Sequence, residues 1–420
     1  MPLEISSYLS RAGSGTVVAI GILVTLLILL CSGHVIGWDQ TWRSVDVTPL
    51  QPHFFDMHVP LDYAVCALKG VDPYVPHSCN VANFNIPPVW LWLGLLGLKG
   101  PDSDWLAIVI ITCTAAVTVA LFRGRSVMHG LVALIAILSP SVMMGVERAN
   151  PDLLILALVG GAALLYEEQS KLRTFGAVVL ISIGFILKLF PLFSVALAAR
   201  FNRRTFLFAV IIAGLGVVYL AAISKYILLI RANVPTTFQL SYGYKVPFLG
   251  WDYLRSEAGL KPIGLADTWL PISASIATLL AAAVAAVLSW HRRRMFCTTA
   301  ASVAGTAFLF GSGIYCGTFL LGTNFIYRLM FLLLCVPQLQ DWMSQRSADK
   351  GRILTIEGWL LTTLLIVLWL NGNANGHTTF LWTPQLFDWL LFFGLAAALF
   401  FNVLYNAFGN ASLAILKIRS

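Results

Sequence analysis

Charged residues are scarce in this chain. Only 11% of its 420 residues are Asp, Glu, Lys or Arg, whereas 58% are apolar. This composition is typical of polytopic membrane proteins and unlike that of ordinary globular domains. The longest polar intervals, 38–88 and 231–271, are too short for a nucleotide-binding domain of roughly 100 residues. The composition therefore excludes a sizeable soluble domain.

Motifs for nucleotides and metals are also missing. No Gly-x-x-x-x-Gly-Lys-[Ser/Thr] run occurs, so nothing indicates work driven by ATP. No group of Cys and His residues has the spacing of zinc ligands, and no carboxylate pair demands a metal. We therefore predict no cofactor, and a donor or energy source must come through the lipid, the membrane or a gradient.

The net charge of +8 has a topological explanation. Lys and Arg accumulate in cytoplasmic loops of membrane proteins, so the charge indicates orientation and not a nucleic-acid partner. With the N-terminus inside, acidic residues fall on the outer face. We expect a multi-pass protein of the plasma (inner) membrane whose active face is periplasmic or extracytoplasmic. Dense basic clusters then fall on inner connections at 123–125, 171–173, 200–204, 292–294 and 346–352.

Each long apolar run is predicted to be a helix, because the bilayer offers no hydrogen-bond partner to an exposed backbone group. The sequence thus predicts an all-α polytopic membrane protein, with a single integral membrane domain over 1–420 and about 11–12 transmembrane or broken helices. Its parts include a helical first outer loop (36–88), a second outer loop (231–271) and a cytoplasmic tail (408–420). The predicted spans are 16–35, 104–122, 127–146, 151–166, 174–187, 189–200, 205–224, 271–290, 297–315, 325–340, 353–371 and 386–407.

Two of these runs, 174–187 and 189–200, are too short to cross a membrane at 1.5 Å per residue. We interpret them as one broken pair, interrupted near Lys188 and Pro191. The apolar run 86–98 is predicted to be a short helix that dips into the interface, since a further span there would break the alternation of charges.

The first outer loop carries five carboxylates and the first candidate for chemistry. Asp56 lies between aromatic residues, where a raised proton affinity would let it accept a proton from a hydroxyl. Alternatively, it is a solvated loop residue or a helix N-cap. His58 and Asp62 are expected to share a helical face with it. Cys66 and Cys79, in the same loop, either form a disulfide or remain free thiols.

The six residues from Glu147 to Asp152 join two predicted spans and offer several hydrogen-bonding groups. Pro151 suits the first turn of the second helix, and Asn150 or Asp152 can cap it. Glu147 and Arg148 either neutralise each other or are free for a ligand, with Arg148 facing a phosphate and Asn150 a sugar hydroxyl.

Two cations lie within apolar sequence. Lys188 and Arg328 are expensive to bury and need partners, which marks them as functional candidates, although Lys188 could instead extend to the interface. If Arg148, Lys188 and Arg328 converge, they would bind a lipid-linked phosphate. In the second outer loop, most aromatic residues are expected to form an interfacial belt, and a few could line a sugar or lipid groove.

The order of these features resembles that of the GT-C integral-membrane glycosyltransferases, and most closely family 87, which includes polyprenol-phosphate-mannose-dependent mannosyltransferases. The resemblance rests on an early outer Asp, the turn Asp72-Pro73-Tyr74, Pro87-Pro88, the hinge at Asn150, and Lys188 before Pro191. This chain has Glu-Arg-Ala-Asn at 147–150 where the family often has Gly-Gln-x-Asn.

The resemblance implies a GT-C-type fold and an inverting transferase that uses a polyprenyl-phosphate sugar donor. The sugar would be a hexose, for instance mannose, and the acceptor a lipid or glycan. Asp56 maps to the catalytic base, and the donor phosphate would contact Lys188, Arg328 and Arg148. The residues assigned to the sugar or acceptor are His58, Asp62, Glu147, Asn150 and Asp152.

Two other classes of function stay open at this point. A transporter or flippase of a polyprenyl-linked or other anionic substrate would also use a buried Lys188 and a broken helix. A catalytically inactive relative that binds membrane lipids within an assembly is the third hypothesis.

Overall fold

The computed structural model describes residues 13–80, 82–235, 237–289, 298, 302–350, 355–371 and 382–418. Most of the described chain is helical, and its one sheet is a two-stranded ladder. The α-helices are α1 Ser14–Ile36, α2 Trp38–Ser44, α3 Phe55–Leu68, α4 Ser103–Leu121, α5 Val127–Ile137, α6 Pro140–Glu147, α7 Pro151–Leu165, α8 Lys171–Leu187, α9 Arg203–Ala222, α10 Ser224–Asn233, α11 Val246–Glu257, α12 Leu270–Ser289, α13 Val303–Leu320, α14 Val336–Lys350, α15 Ile356–Leu370 and α16 Thr383–Ile418. The strands are β1 Ser241–Tyr242 and β2 Asn324–Phe325, and 3₁₀ helices cover Pro88–Leu96, Gly100–Asp102, Phe190–Arg200, Leu265–Asp267 and Ile326–Leu334.

Helices long and apolar enough to cross a membrane make this a multi-pass membrane protein. In the described part of the chain, six helices meet that criterion, and the bent pair α5 and α6 brings the number to seven. The six are Ser14–Ile36, Gly100–Leu121, Arg203–Ala222, Leu270–Ser289, Val303–Leu320 and Thr383–Phe408. Three further apolar helices, Pro151–Leu165, Phe190–Arg200 and Ile356–Leu370, are shorter than a full span.

The predicted break at Lys188 is confirmed. Helix α8 ends at Leu187, Lys188 has an extended backbone (φ −152°, ψ 132°), and a 3₁₀ helix begins at Phe190 with Pro191 in its first turn. Pro191 favours this break because it has no N–H to donate to the carbonyl of Leu187, four residues earlier. A second effect of proline is that it disfavours helical backbone in the residue before it, which applies at Pro140. The same effect divides the predicted span 127–146, since an extended Ser139 precedes Pro140 and the two halves meet at 61°.

The predicted span 325–340 is also interrupted, because a 3₁₀ helix covers Ile326–Leu334 before α14 begins. The short helix expected in 86–98 is present as the 3₁₀ helix Pro88–Leu96. The Trp90 indole donates to the carbonyl of Leu187 at 2.9 Å, so this short helix is attached to the end of α8.

Contacts between loops define two ends of the helical bundle. At one end, the Asn233 amide donates to the carbonyls of Tyr74 and Phe84, which ties the second outer loop to the first. A disulfide joins Cys66 to Cys79 within the first outer loop, so the two thiols are not free. Strand β1 of the second outer loop pairs with β2, just before Arg328.

The other end carries basic residues from the predicted inner connections. Arg125 forms a two-pronged ion pair with Asp341, and Arg200 pairs with Glu168. Of the predicted basic clusters, 292–294 and Arg352 lie outside the described residues. Helix α16 continues through most of the predicted tail 408–420, as far as Ile418.

Candidate functional site

Asp56 lies where the first outer loop meets the hinge between α6 and α7. Its backbone N–H donates to the carbonyl of Arg148 at 3.1 Å, and the Asn150 amide donates to its Oδ2 at 2.6 Å. Helix α3 begins after Phe54, whose left-handed backbone forms the N-cap position. Asp56 is therefore not an N-cap, and its half-buried carboxylate is held by a residue 94 positions away in the sequence.

The side chain of Asn150 is oriented by the helix that it caps. Its Oδ1 accepts from the backbone N–H of Asp152 at 2.9 Å, with Pro151 in the first turn, as predicted. Because the oxygen is committed to the cap, the amide nitrogen is directed toward Asp56. The start of α7 thus determines where the Asp56 carboxylate lies.

Glu147 and Arg148 form an ion pair, with 3.8 Å between Oε2 and Nε. Both side chains are buried, and Glu147 Oε1 also accepts from the backbone N–H of Leu50 at 2.9 Å. The contact favours mutual neutralisation over two free side chains, but it is not a hydrogen bond, because Glu147 Oε2 has no hydrogen-bond partner among the described residues. Within the described residues, the Arg148 Nε–H has no hydrogen-bond partner.

Lys188 and Arg328 converge on one carboxylate, that of Asp152. Lys188 Nζ lies 2.5 Å from Oδ1, and Arg328 Nε lies 3.2 Å from Oδ2. Asp152 is fully buried and Lys188 is buried, so the lysine does not extend to the interface. Asp152 is the partner that a cation in apolar surroundings requires. It was predicted to contact sugar or acceptor, but its carboxylate is occupied by the two cations.

Arg328 is held on two further sides. Its guanidinium donates to Asn324 Oδ1 and lies 4.8 Å above the ring centre of Phe190. The sequence interpretation missed both residues, although Asn324 precedes Arg328 by four positions and Phe190 follows Lys188 by two. A planar guanidinium held by a fork of bonds and an aromatic face has little rotational freedom, so its charge has a defined position.

The Lys188–Asp152–Arg328 cluster taken alone carries one positive charge in excess, and the ionised Asp56 carboxylate beside it brings the whole site to three cations and three carboxylates. Two cations share the Asp152 carboxylate, whereas Arg148 and Glu147 balance each other. Burial raises the pKa of the Asp56 carboxyl, and the Arg148 charge, the Asn150 hydrogen bond and the Lys188 charge partly offset that rise. The Asp152 charge raises the pKa of Asp56, as burial does. Asp56 is therefore close enough to Arg148 and to Lys188 for their charges to influence its pKa. Its raised pKa makes the carboxylate a stronger base.

His58 and Asp62 lie elsewhere on α3. His58 Nε2 lies 3.3 Å from Asp62 Oδ2, and the Asn80 amide donates to Asp62 at 2.7 Å. Both side chains pack against Gly100, where an added Cβ would lie 2.6 Å from either of them. His58 and Asp62 share a helical face, as predicted, but the expectation that Asp56 shares it is wrong. Asp56 and His58 are two residues apart on α3, so their side chains point in directions roughly 200° apart around the helix axis. Asp56 therefore points to Asn150 instead.

Metal ligands do not cluster in the described residues, where no group of three His, Cys, Asp or Glu side chains could hold an ion. The site is instead made of one half-buried carboxylate beside fixed cations. Such a site can accept a proton and bind an anion.

No protein-family model, curated protein or solved structure matches this chain. The geometry and charge of the site are therefore the basis for assigning a function.

Proposed function

We propose that this protein is an inverting glycosyltransferase that moves a hexose from a polyprenyl-phosphate donor to a lipid or glycan acceptor. The supporting observation is the position of Asp56, which Asn150 binds beside Arg148 and the Lys188–Asp152–Arg328 cluster. A base and fixed cations are the two components that transfer from a sugar phosphate needs. The GT-C-type fold, with family 87 as the most similar group, is part of the same proposal.

In the proposed reaction, the Asp56 carboxylate takes the proton of the acceptor hydroxyl. The acceptor oxygen forms a bond to the anomeric carbon from the side opposite the phosphate. The bond between that carbon and the phosphate oxygen breaks, and the oxygen keeps the electron pair. Lys188 and Arg328, with Arg148 nearby, stabilise the charge that develops on the departing phosphate.

The charge of the site matches that of the proposed donor. A sugar linked to a lipid through one phosphate carries a single negative charge. The Asp152 cluster has two cations for one carboxylate, so it carries one positive charge in excess, which the Asp56 carboxylate balances until it takes up the acceptor proton and the donor phosphate balances afterwards. Electrostatic interactions are strong where water is excluded, which favours a phosphodiester over a neutral ligand.

The proposed location is the outer face of the plasma (inner) membrane. The Cys66–Cys79 disulfide supports an oxidising compartment for the first outer loop. The basic clusters at the other end of the bundle favour the cytoplasm for that end. The proposed donor and acceptor would then meet on the periplasmic or extracytoplasmic side.

The test is the Asp56→Asn variant, which keeps the shape of the side chain but removes its basicity. We expect transfer of labelled hexose from a polyprenyl phosphate, by purified protein in lipid nanodiscs, to fall about 10²–10⁴-fold. The control is Asp267→Asn in the second outer loop, where an exposed carboxylate pairs only with Lys245 among described residues. Undiminished transfer by a folded Asp56→Asn protein would eliminate the proposed base.

A transporter or flippase is the second candidate, and the observation that favours it is the break in the helix at Lys188. Interrupted helices with a buried charge are used by transporters to bind ions and substrates. Movement of a labelled lipid-linked substrate across a proteoliposome membrane without sugar transfer would support this candidate. Transfer to an acceptor on one side, without such movement, would support the enzyme.

A further inference from the structure

A cavity lies between the second outer loop and α16. It has a volume of about 660 Å³, is open on one side and is bounded by α11, α12 and the start of α16. Its lining includes three aromatic side chains, Phe248, Trp382 and Trp389, and one amide, Gln385. Trp251 packs near Trp382, with 6.4 Å between ring centres. The cavity therefore combines a group of aromatic surfaces with a single strongly polar group.

Gln385 has an unused hydrogen-bond acceptor. Its Nε2 donates to the backbone carbonyl of Ser241 at 3.2 Å. A carbonyl can only accept, so this contact fixes the amide nitrogen toward Ser241 and leaves Oε1 on the other side. The side chain is only 5% exposed, and Oε1 has no donor among the described residues. A buried acceptor without a donor is unfavourable, which a ligand hydroxyl would correct.

The floor of the cavity is connected to the charged site. Ser241 and Tyr242 pair with Phe325 and Asn324 in the two-stranded ladder. Asn324 in turn accepts a hydrogen bond from Arg328, which contacts Asp152. One short segment of backbone thus separates the unused oxygen of Gln385 from the cation proposed to hold the donor phosphate.

Three kinds of occupant can be compared. A charged head group finds no counter-charge, because none of the described lining residues is charged. An acyl chain would cover the aromatic rings but leave the Gln385 oxygen unpaired. A neutral sugar ring satisfies both, since its C–H face packs on an aromatic ring and its hydroxyls donate hydrogen bonds.

We propose that this cavity binds the neutral sugar ring of the acceptor, with Gln385 Oε1 accepting from a ring hydroxyl and Trp382 and Trp389 packing on the ring. The acceptor is therefore a glycan or glycolipid and not a lipid without sugar. Its role as acceptor rests on the proposed transferase function, whereas sugar binding itself does not.

Binding is tested with hexyl α-D-mannopyranoside, and 1-hexanol serves as the probe that lacks a sugar ring. Hydroxyl-radical footprinting of the whole protein in nanodiscs, read by mass spectrometry, reports the accessibility of individual tryptophans. We expect the mannoside to protect Trp382 and Trp389 while Trp105, which is exposed near Asp102, remains equally reactive. Equal protection by hexanol, or no protection by the mannoside, would overturn the proposal.

Substitutions then test the role of the bound sugar. Gln385→Leu should raise the acceptor KM by about 5-fold, the effect of one lost hydrogen bond, without changing the donor KM. Trp382→Leu should raise the acceptor KM by roughly 10-fold. Trp105→Leu is the control for loss of an exposed interfacial tryptophan. A change in donor KM alone, or none in either, would contradict the assignment.

The two proposals can fail separately. Protection of the tryptophans by the mannoside together with an active Asp56→Asn variant would retain the sugar site and remove the proposed base. Loss of transfer in Asp56→Asn without protection by the mannoside would do the reverse.

Discussion

The protein pairs cations with carboxylates at both ends of its helical bundle, and the two sites differ in charge balance. At the end predicted to be cytoplasmic, called the inner end, Arg200 is paired one to one with Glu168 at 3.4 Å and also donates to Thr306 at 2.9 Å. At the outer end, Lys188 and Arg328 share the single carboxylate of Asp152. The inner pair is neutral, whereas the outer cluster keeps one positive charge in excess.

This difference separates a structural contact from a candidate binding site. A neutral pair linked to a hydroxyl joins neighbouring helices and leaves no charge for a ligand. A cluster with one positive charge in excess needs a further anion, which in the free protein is the neighbouring Asp56 carboxylate and in the proposed reaction the donor phosphate. The half-buried Asp56 carboxylate lies beside the outer cluster, and the inner pair has no comparable neighbour among the residues described above.

The largest expected effect comes from removing the shared carboxylate. Asp152→Ala leaves the buried Lys188 and the partly exposed Arg328 without their shared carboxylate, and we expect a loss of stability of about 3–5 kcal/mol. Glu168→Ala should cost only about 1 kcal/mol, because Glu168 is partly exposed and Arg200 keeps its bond to Thr306. Thermal unfolding of both variants in one detergent measures the difference. Equal losses would remove the contrast between the two ends.

A smaller effect is expected when residue 328 keeps its positive charge but loses the planar shape of the guanidinium. Arg328→Lys loses the contact with Phe190 and the geometry that reaches both Asp152 and Asn324. We expect hexose transfer to fall about tenfold, equivalent to about 1.4 kcal/mol. Arg200→Lys at the inner end is the matched control and should leave the transfer rate unchanged. A similar decline in both variants would indicate a structural role for Arg328.

The pH dependence of transfer should also distinguish the two ends. The raised pKa of Asp56 means that the basic form is lost as pH falls, at a higher pH than for an ordinary aspartate. Because the Arg148 charge lowers that pKa, Arg148→Gln should move the acid limb of the kcat/KM profile to higher pH. Arg125→Gln, at the inner end, should leave the limb in place. A shift to lower pH in Arg148→Gln would contradict the proposed electrostatics.

The smallest effect is expected at Arg125 and Asp341, which form a partly exposed pair at 3.0 Å. Asp341→Asn should cost less than about 1 kcal/mol, because water and salt screen such pairs. Transfer activity should remain unchanged. A loss of stability comparable to that of Asp152→Ala would show that the inner end is as sensitive to charge removal as the outer one.

Several local features could be predicted because neighbouring residues determine them. Pro191 and the polar Lys188 indicated the break in the helix, and Pro151 with Asn150 indicated a capped helix start. The partners of Asp56 could not be predicted in this way. Asn150 is 94 residues from Asp56 in the sequence. The expectation that His58 and Asp56 share a helical face was wrong because residues two apart lie on opposite sides of a helix.

The Asp152 cluster shows the same limit more clearly. Lys188 and Arg328 were recognisable as cations that need a partner, but the identity of that partner was not. Arg328 and Asp152 are 176 residues apart, and Asp152 had been assigned to the sugar or acceptor. Likewise, nothing in the sequence pattern around Gln385 indicated that its amide would be held by Ser241.

The sequence by itself determined that this is a helical membrane protein, because long apolar runs must form their hydrogen bonds internally wherever they occur. It also identified Lys188 and Arg328 as functional candidates, because each is a cation within apolar sequence. Only the tertiary structure decided which carboxylate meets which cation, since that depends on how the broken helices pack against one another. The excess of positive charge beside Asp56 results from that packing and from no local pattern in the chain.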